Sequence, residues 1–584
     1  MTSVFKRYLQ IIVMAPLVVA TLSFHVWAQD ESLPEAETGR TAAKSGTAKS
    51  YMVVAANPLA AKAGTDILAA GGTAVDAAIA VQLVLNLVEP QSSGIGGGAF
   101  ALTWDAKTGQ MASYDGREMS PAAAAENRFL MENGKPMARM QAVVGGKSVG
   151  VPGVVRLMDV LHKRHGKLAW AKLFEPAITI AEEGFSISPR LNALLEGDRA
   201  LRDVEPARSF YYTEDGKAKA VGTVLKNPEI AKVLRVIASK GADAFYVGPI
   251  AADIVKTVTG ATSNPGDMTL EDLKSYKAVE RPPVCGTYRT YKICGMGPPS
   301  SGGVGVIQTL KILEPFDLRG LGAHAPKAEH LLVEAGRLVF ADRAVYLADP
   351  DKVPVPTEAL VAPDYLKARS ALIDPERRQG TVEAGKVPVK GALDLAPAPS
   401  PELPATTHFS IVDGAGNAIA MTSSVEAQFG SRLMVNGLIL NNQLTDFSYE
   451  DVADHRTVAN RVEGGKRPRS SMSPTLVFNA EGELEMVLGS PLGAAIVGLV
   501  VKTLVGMIDW QMSPADAAAA PGALFFGNGV MIEKDLEPAK PALEAMGHQV
   551  RVGAFASGIH VIRITKDGLV GGADPRREGV VMGR

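Results

Sequence analysis

P-A-T-T-H-F-S-I-V-D-G-A-G-N-A-I-A-M-T-S-S-V-E, residues Pro404 to Glu426, decides how the rest of the chain is read. Thr407 to Val412 alternates polar residues with β-branched or aromatic ones, Asp413 to Asn417 carries turn chemistry, and Ala418 to Ser424 resumes an extended pattern. The stretch predicts a β-hairpin. A turn symmetric about Ala415 sets Thr406 opposite Ser424, so two hydroxyls meet at the open end. Just upstream, residues 386 to 405 are rich in Pro and Ala with little periodicity, the signature of an exposed, flexible connector. A connector that feeds straight into a central strand is unusual.

The chain has 584 residues, 46% of them hydrophobic and 21% charged, which predicts a globular protein with several domains or one large layered domain. A net charge of −2 without a Lys/Arg block argues against nucleic-acid partners. Lys6-Arg7, an apolar run from Tyr8 to about Phe24, and Val26-Trp27-Ala28 before Gln29-Asp30 fit a cleaved secretory signal over residues 1–28, with an uncleaved anchor as the alternative. Export from a bacterial cytoplasm to the periplasm or the medium is expected, with no stable membrane span once the signal is removed. Residues 29–50 are polar and aperiodic and are expected to form a disordered linker. Cys285 and Cys294 face each other across a second hairpin if Arg289-Thr290 is its turn; a disulfide and two buried free thiols both fit. Two cysteines cannot build a structural zinc site.

Pro58 to Ala70 and Thr73 to Leu87 read as two helices, the second apolar almost all round. Gly94-Ile95-Gly96-Gly97-Gly98-Ala99 follows a helix and precedes a strand, the reverse of a dinucleotide-binding loop, so tight backbone packing beside an active site is the better account. Arg117, in a charged turn, reads on its own as a surface ion pair. Gly146-Lys147-Ser148-Val149-Gly150 matches G-x-S-x-G in form but sits in loop-like surroundings. Helical periodicity marks Leu168 to Glu183, Ile230 to Lys240, Pro249 to Thr259, Gly302 to Leu313 and Lys327 to Leu347. His162/His165 and His324/His330 lack metal-binding spacing and read as ordinary helix and loop residues. Gly489-Ser490-Pro491-Leu492-Gly493 enters the apolar helix Ala494 to Ile508, and amides at a helix N-terminus can stabilise an oxyanion.

A Thr hydroxyl needs a base beside it to act as a nucleophile. A Thr that begins a chain has one in its own α-amine. Cleavage between Ala405 and Thr406 would create such a terminus, and the flexible lead-in is what self-cleavage requires.

S-G-I-G-G-G-A-F, G-R-E-M, P-P-S-S-G-G, T-T-H-F-S-I-V-D, N-N-Q-L-T-D-F-S, K-R-P-R-S-S-M-S-P and G-S-P-x-G, in a match that runs in order from about Ala55 to the last residues, resemble the γ-glutamyltransferases of the N-terminal nucleophile hydrolase superfamily. The resemblance implies an α/β/β/α sandwich formed jointly by two subunits of one precursor. These are a large subunit ending at Ala405, ordered from about residue 51, and a small catalytic subunit, 406–584. It implies neither metal nor organic cofactor. The expected reaction is cleavage of the γ-glutamyl amide of glutathione or a relative, with the acyl group passed to water, an amino acid or a peptide.

Residue by residue, the resemblance makes Thr406 the nucleophile, Ser424 its hydroxyl partner and Thr422 a supporting residue. It assigns the oxyanion hole to the amides of Leu492 and Gly493. Arg117, Ser470 and Ser471 would hold the donor's α-carboxylate, a role suited to a guanidinium fork with hydroxyls. Gln443 and Asp446 would face its α-ammonium. Glu426 stands beside the α-amine, where well-known members carry Asn, and with Asp446 gives two carboxylates near the ammonium, which suits a cationic group and could shift donor preference; Leu492 replaces a Gly and Ser424 a Thr. The segment 449–465 is short for a lid, so a more open pocket is expected. The alternatives are an acylase for glutaryl- or cephalosporin-type amides, for which Glu426 is a liability, and an uncleaved binding protein without catalysis.

Overall fold

The hairpin forms at the predicted position in a computed structural model that describes residues 44–387, 394–398, 405–453, 455–526 and 529–584. The expected signal segment, residues 29–43 and most of the connector lie outside the described residues. Fourteen strands build the two main sheets: β1 Lys44–Ala48, β2 Met52–Ala55, β3 Gly98–Asp105, β4 Gln110–Gly116, β5 Val279–Arg281, β6 Val284–Tyr288, β7 Tyr291–Gly295, β8 Ala405–Val412, β9 Ala418–Glu426, β10 Thr475–Phe478, β11 Leu484–Gly489, β12 His560–Thr565, β13 Gly568–Ala573 and β14 Val580–Gly583. One sheet runs β14-β2-β8-β9-β3-β4-β5 and the other β1-β13-β12-β11-β10-β7-β6. Each mixes strands from before and after residue 405.

Alternation along the strands explains the layering. Phe409, Ile411, Ile419 and Met421 join the cluster that includes helices α1 (Pro58–Ala69) and α2 (Ala74–Val88), while Val412, Ala418 and Ala420 join residues of the second sheet. Every residue of α2 is buried, as its all-round apolarity predicts. Helices Gly302–Leu313, Pro326–Tyr346 and Ile496–Ile508 contribute to the cluster of the second sheet. The result is the four-layer α/β/β/α sandwich.

The turn of the β8–β9 hairpin is pinned by one carboxylate. Asp413 accepts from the amides of Ala415 (2.9 Å) and Asn417 (3.0 Å), from the Asn417 side chain (3.0 Å), and from the amide of Ala74 (3.0 Å) at the start of α2. The hairpin is thereby indexed against the helical layer as well as against its neighbours.

Three expectations need correction. Lys44–Ala48, inside the stretch read as disordered, pairs with β13 from Lys44↔Ala573 to Ala48↔Leu569; an edge strand draws its order from the partner ladder and needs no hydrophobic periodicity of its own. Leu395–Ala396, inside the connector read as exposed, is buried and pairs with Thr457 and Val458. The helix read over 168–183 begins at Glu175, because Pro176 cannot donate a mid-helix hydrogen bond and sits at the helix start, preceded by the 3₁₀ turn Trp170–Phe174. Cys285 and Cys294 are directly paired across β6–β7 and form a disulfide. No helix among the described residues is long and apolar enough to cross a membrane.

Asp413→Ala is expected to lower unfolding free energy by about 2–4 kcal/mol, since buried hydrogen bonds to a charged group are worth about 1.5–3 kcal/mol each and are only partly additive. Urea unfolding of the purified variant checks this. A loss below about 0.5 kcal/mol would mean the turn is not held by this carboxylate.

Candidate active site

The ladder between β8 and β9 is regular from Val412↔Ala418 to Thr407↔Ser423, then shifts so that Ala405 pairs with Glu426. Thr406 lies at this bulge. A bulge re-aims the side chain it carries. Thr406 Oγ1 contacts the carbonyl oxygen of Ala405 and lies 3.1 Å from Ser424 Oγ, as the hairpin symmetry predicts. Ser424 Oγ donates to the same Ala405 carbonyl at 2.8 Å and accepts from the Glu426 amide at 2.9 Å. Arg577 donates to the Thr406 carbonyl at 2.7 Å.

Next along the strand, His408 Nδ1 is 2.8 Å from Thr422 Oγ1, which puts this pair in the layer beneath the Thr406 hydroxyl. Burial holds the His408 imidazole well below its usual range, and His560, donating from Nδ1 to the His408 carbonyl at 2.6 Å, is pushed down by burial to about 4. Both rings are neutral at physiological pH. Two glycines make the fit possible. A Cβ on Gly97 would sit 2.1 Å from the Ser424 carbonyl oxygen, and one on Gly489 would sit 2.4 Å from the His408 ring. The glycine-rich run before β3 is thus a close backbone approach, as its element order implies.

Gly489 ends β11 and opens the Gly-Ser-Pro-Leu-Gly loop. Leu492 has φ +107° and Gly493 φ +53°, so Leu492 keeps the left-handed backbone for which Gly is the ordinary choice. A side-chain-bearing residue held there costs about 1–3 kcal/mol, and such strain concentrates at functional loops.

Arg117 is not a surface ion pair. Its side chain is buried, its Nη2 donates to Asp446 Oδ2 at 2.6 Å and to the Arg469 carbonyl at 2.9 Å, and its Nε donates to the Pro468 carbonyl at 3.2 Å. The loop carrying Ser470 and Ser471 is tied to the P-P-S-S-G-G segment, for the Ser470 amide donates to the Pro299 carbonyl at 3.0 Å and Ser301 Oγ donates to the Ser470 carbonyl at 2.8 Å. Gln443–Asp446 is one 3₁₀ turn that places both polar residues together, and Gln443 Oε1 is buried without a hydrogen-bond partner among the described residues.

Three contributors escaped the sequence reading. Asn442 holds Glu426 through its Nδ2 and accepts from the Ala427 amide at 2.9 Å. Arg139 Nη2 donates to Glu426 Oε1 at 3.2 Å and lies 3.8 Å from Asp446 Oδ1. Glu118 is fully buried, 4.0 Å from Arg117 Nη1, and burial pushes its carboxyl up to about 8. Asn442 and Glu118 left a trace, inside N-N-Q-L-T-D-F-S and G-R-E-M, and Arg139 left none. The open pocket is not observed in the uncut chain, where Thr406 is 3% exposed and Glu426 and Asp446 are each 2% exposed. Residues 121–143 account for part of this cover: Phe129, Met137 and Ala142 pack with Leu444, Phe447 and Val462.

Elsewhere, Ser148 Oγ donates to the carbonyls of Val143 (2.6 Å) and Gly145 (2.9 Å), a structural use. His330, read as an ordinary helix residue, gathers with Glu334 and His548 within metal-ligand distance. There the two rings hydrogen-bond each other at 2.7 Å and Arg337 occupies Glu334 at 2.6 Å. A cleft of about 1240 Å³ lined by Trp104, Asp413 and Arg563 opens at the turn end of the hairpin, away from Thr406.

A Thr hydroxyl set on the preceding carbonyl, at the head of a central strand in a four-layer sandwich, defines an N-terminal nucleophile hydrolase. The family model described as Gamma-glutamyltranspeptidase matches residues 60–584. The chain is 36% identical over 544 residues to a glutathione hydrolase proenzyme of Escherichia coli (strain K12), covering 91% of each protein. It is 34% identical over 531 residues to an acylase ACY 1 proenzyme of Pseudomonas sp. (strain SE83), covering 89% of this chain and 91% of that protein. The crystal structure of a cephalosporin acylase from Bacillus halodurans superposes with a TM-score of 0.81 at 26% identity, over 94% of this chain and 99% of that one. The chain belongs to the γ-glutamyltranspeptidase family and is an enzyme made as a proenzyme.

The Glu118 carboxyl titrates at about 4.5 when unfolded and at about 8 in the fold, so between these values the folded state retains a proton that the unfolded state has lost. Its contribution therefore falls as pH rises across that window. Glu118→Gln is expected to gain stability relative to wild type by more than about 2 kcal/mol between pH 5 and pH 8, one pKa unit being worth about 1.4 kcal/mol. Denaturant melts at both values read this difference, and parallel pH profiles would refute it.

Proposed function

We propose that this protein is a self-processing γ-glutamyltransferase and glutathione hydrolase. The observation that carries the reading is the convergence of the Thr406 and Ser424 hydroxyls on the Ala405 carbonyl. Thr406 Oγ1 adds to that carbonyl carbon, the Ala405–Thr406 amide bond breaks as the acyl group moves to oxygen, and water hydrolyses the ester. The products are a carboxylate on Ala405 and a free α-amine on Thr406. The two chains stay together as a heterodimer because each sheet contains strands of both.

In the mature enzyme the Thr406 amine takes the proton of its own hydroxyl as Oγ1 attacks the γ-carbonyl of a donor such as glutathione. The Leu492 and Gly493 amides receive the oxyanion, and the protonated amine delivers its proton to the leaving amine. The γ-glutamyl–Thr406 ester then passes its acyl group to water, an amino acid or a peptide. Arg117, Ser470 and Ser471 hold the α-carboxylate, while Gln443, Asp446 and Glu426 face the α-ammonium. The partnerless Gln443 Oε1 supports this, since a buried acceptor left unpaired costs about 1–3 kcal/mol and a donor's N–H would satisfy it. Export to the periplasm or medium completes the reading.

A second reading, an acylase for dicarboxylic acyl amides on the same nucleophile, is favoured by the Arg139–Glu426 contact. It removes the objection that Glu426 would be an uncompensated charge beside an acyl chain lacking an amine.

Wild type should run as fragments of about 40 and 19 kDa, scaled from 61.3 kDa over 584 residues, and Thr406→Ala should remain whole and inactive. Cleavage of Thr406→Ala, or an uncut wild type that binds but does not turn over donors, would remove the nucleophile assignment. Processed wild type that releases no glutamate from γ-glutamyl anilides yet cleaves glutaryl anilides would replace the first reading by the second.

A further inference from the structure

Arg139 opens the short helix Arg139–Val143, within the segment that packs over the Gln443–Asp446 turn. Its guanidinium reaches both carboxylates assigned above to the donor's α-ammonium, Glu426 at 3.2 Å and Asp446 at 3.8 Å. Asp446 is held on its other oxygen by Arg117. The buried groups thus form an alternating chain, Arg117, Asp446, Arg139, Glu426, with equal numbers of each charge. Glu426 is not free to turn elsewhere. Its backbone is left-handed at φ +80°, its amide is held by Ser424, and its second carboxylate oxygen accepts from Asn442.

We propose that Arg139 is a specificity-determining residue of the acyl pocket, its guanidinium standing between Glu426 and Asp446 where a donor's α-ammonium would otherwise sit. The proposal rests on the site reading given above. A donor with a charged α-amine must displace the guanidinium from two buried carboxylates or share them with it, and two cations in one buried site repel. A dicarboxylic acyl donor with an uncharged α-carbon leaves Arg139 in place and adds its distal carboxylate to a pocket with two guanidinium groups. Arg139 therefore shifts preference toward acyl donors without a charged α-amine, the glutaryl class, and against γ-glutamyl donors.

The test compares kcat/KM for γ-glutamyl-p-nitroanilide and glutaryl-p-nitroanilide in processed wild type, Arg139→Met and Arg139→Lys. Loss of the cation in Arg139→Met is expected to raise the γ-glutamyl to glutaryl ratio about tenfold or more, as a charge-assisted contact is worth about that factor. Arg139→Lys, which keeps the charge, should stay within about threefold of wild type. An unchanged ratio, equal losses on both donors or a fall in the ratio overturns the proposal. If Arg139→Met does not mature, Glu426→Gln carries the test. It leaves Asp446 as the one carboxylate for Arg117, Arg139 and the donor's ammonium, so the ratio should fall by about threefold or more, and no fall overturns the proposal. Wild type that cleaves glutaryl but not γ-glutamyl anilide sinks the first functional reading alone, because the ratio change in Arg139→Met, then read as gained γ-glutamyl turnover, still decides the role of Arg139.

Discussion

Pairing of β8 with β9, regular for most of its length and shifted at its open end, is the constraint on which the site depends. Continued from Thr407↔Ser423, the regular register sets the Thr406 hydroxyl opposite Ser424, and at the shifted end the Ala405 carbonyl also accepts from the Ser424 hydroxyl. Because the turn is fixed to α2 through Asp413, slippage at one end of the hairpin would have to break contacts at the other. The strand faces grade accordingly: toward the second sheet the pairs run from Thr406 and Ser424, through His408 and Thr422, to apolar Val412 and Ala418 near the turn. Chemistry sits at one end of a ladder whose other end is ordinary core.

The second constraint is electrostatic. Arg117, Arg139, Glu426 and Asp446 are all nearly buried, and isolated charges there would be strongly penalised. They persist because each cation contacts an anion, while Glu118 escapes the penalty by keeping its proton. On the site reading proposed above, a zwitterion entering here must displace these partners or share them. Neutral His408 and His560 fit the same logic, since a charged imidazole in the layer below would disturb the balance.

Much of this was legible in the sequence, for reasons that differ by element. The hairpin was readable because alternation and turn chemistry are local, and its symmetry sets Thr406 against Ser424. The buried helix Ala74–Val88 was readable from its all-round apolarity. Lys44–Ala48 was not, because its order comes from a partner more than five hundred residues away, at register Lys44↔Ala573. Arg117 alone carried the signature of a surface ion pair. Only the motif resemblance moved it inward, and the structure places it on Asp446.

Arg139 illustrates the limit in physical terms. A lone arginine in an irregular segment has no periodicity and no motif, and its partners Glu426 and Asp446 lie 287 and about 307 residues further on. What fixes it is the apolar contact of Phe129, Met137 and Ala142 with Leu444, Phe447 and Val462, a packing event between two segments that each look like loop. Loops laid on a rigid frame are where specificity can vary without disturbing the fold. The Thr406 end of the site is set by a ladder that tolerates little change, whereas the guanidinium proposed to read the donor's α-position arrives on a covering segment. On the proposal made for Arg139, substitution at residue 139 would alter donor choice while β8, β9 and Thr406 keep their register, because the ladder of the hairpin does not depend on the covering segment.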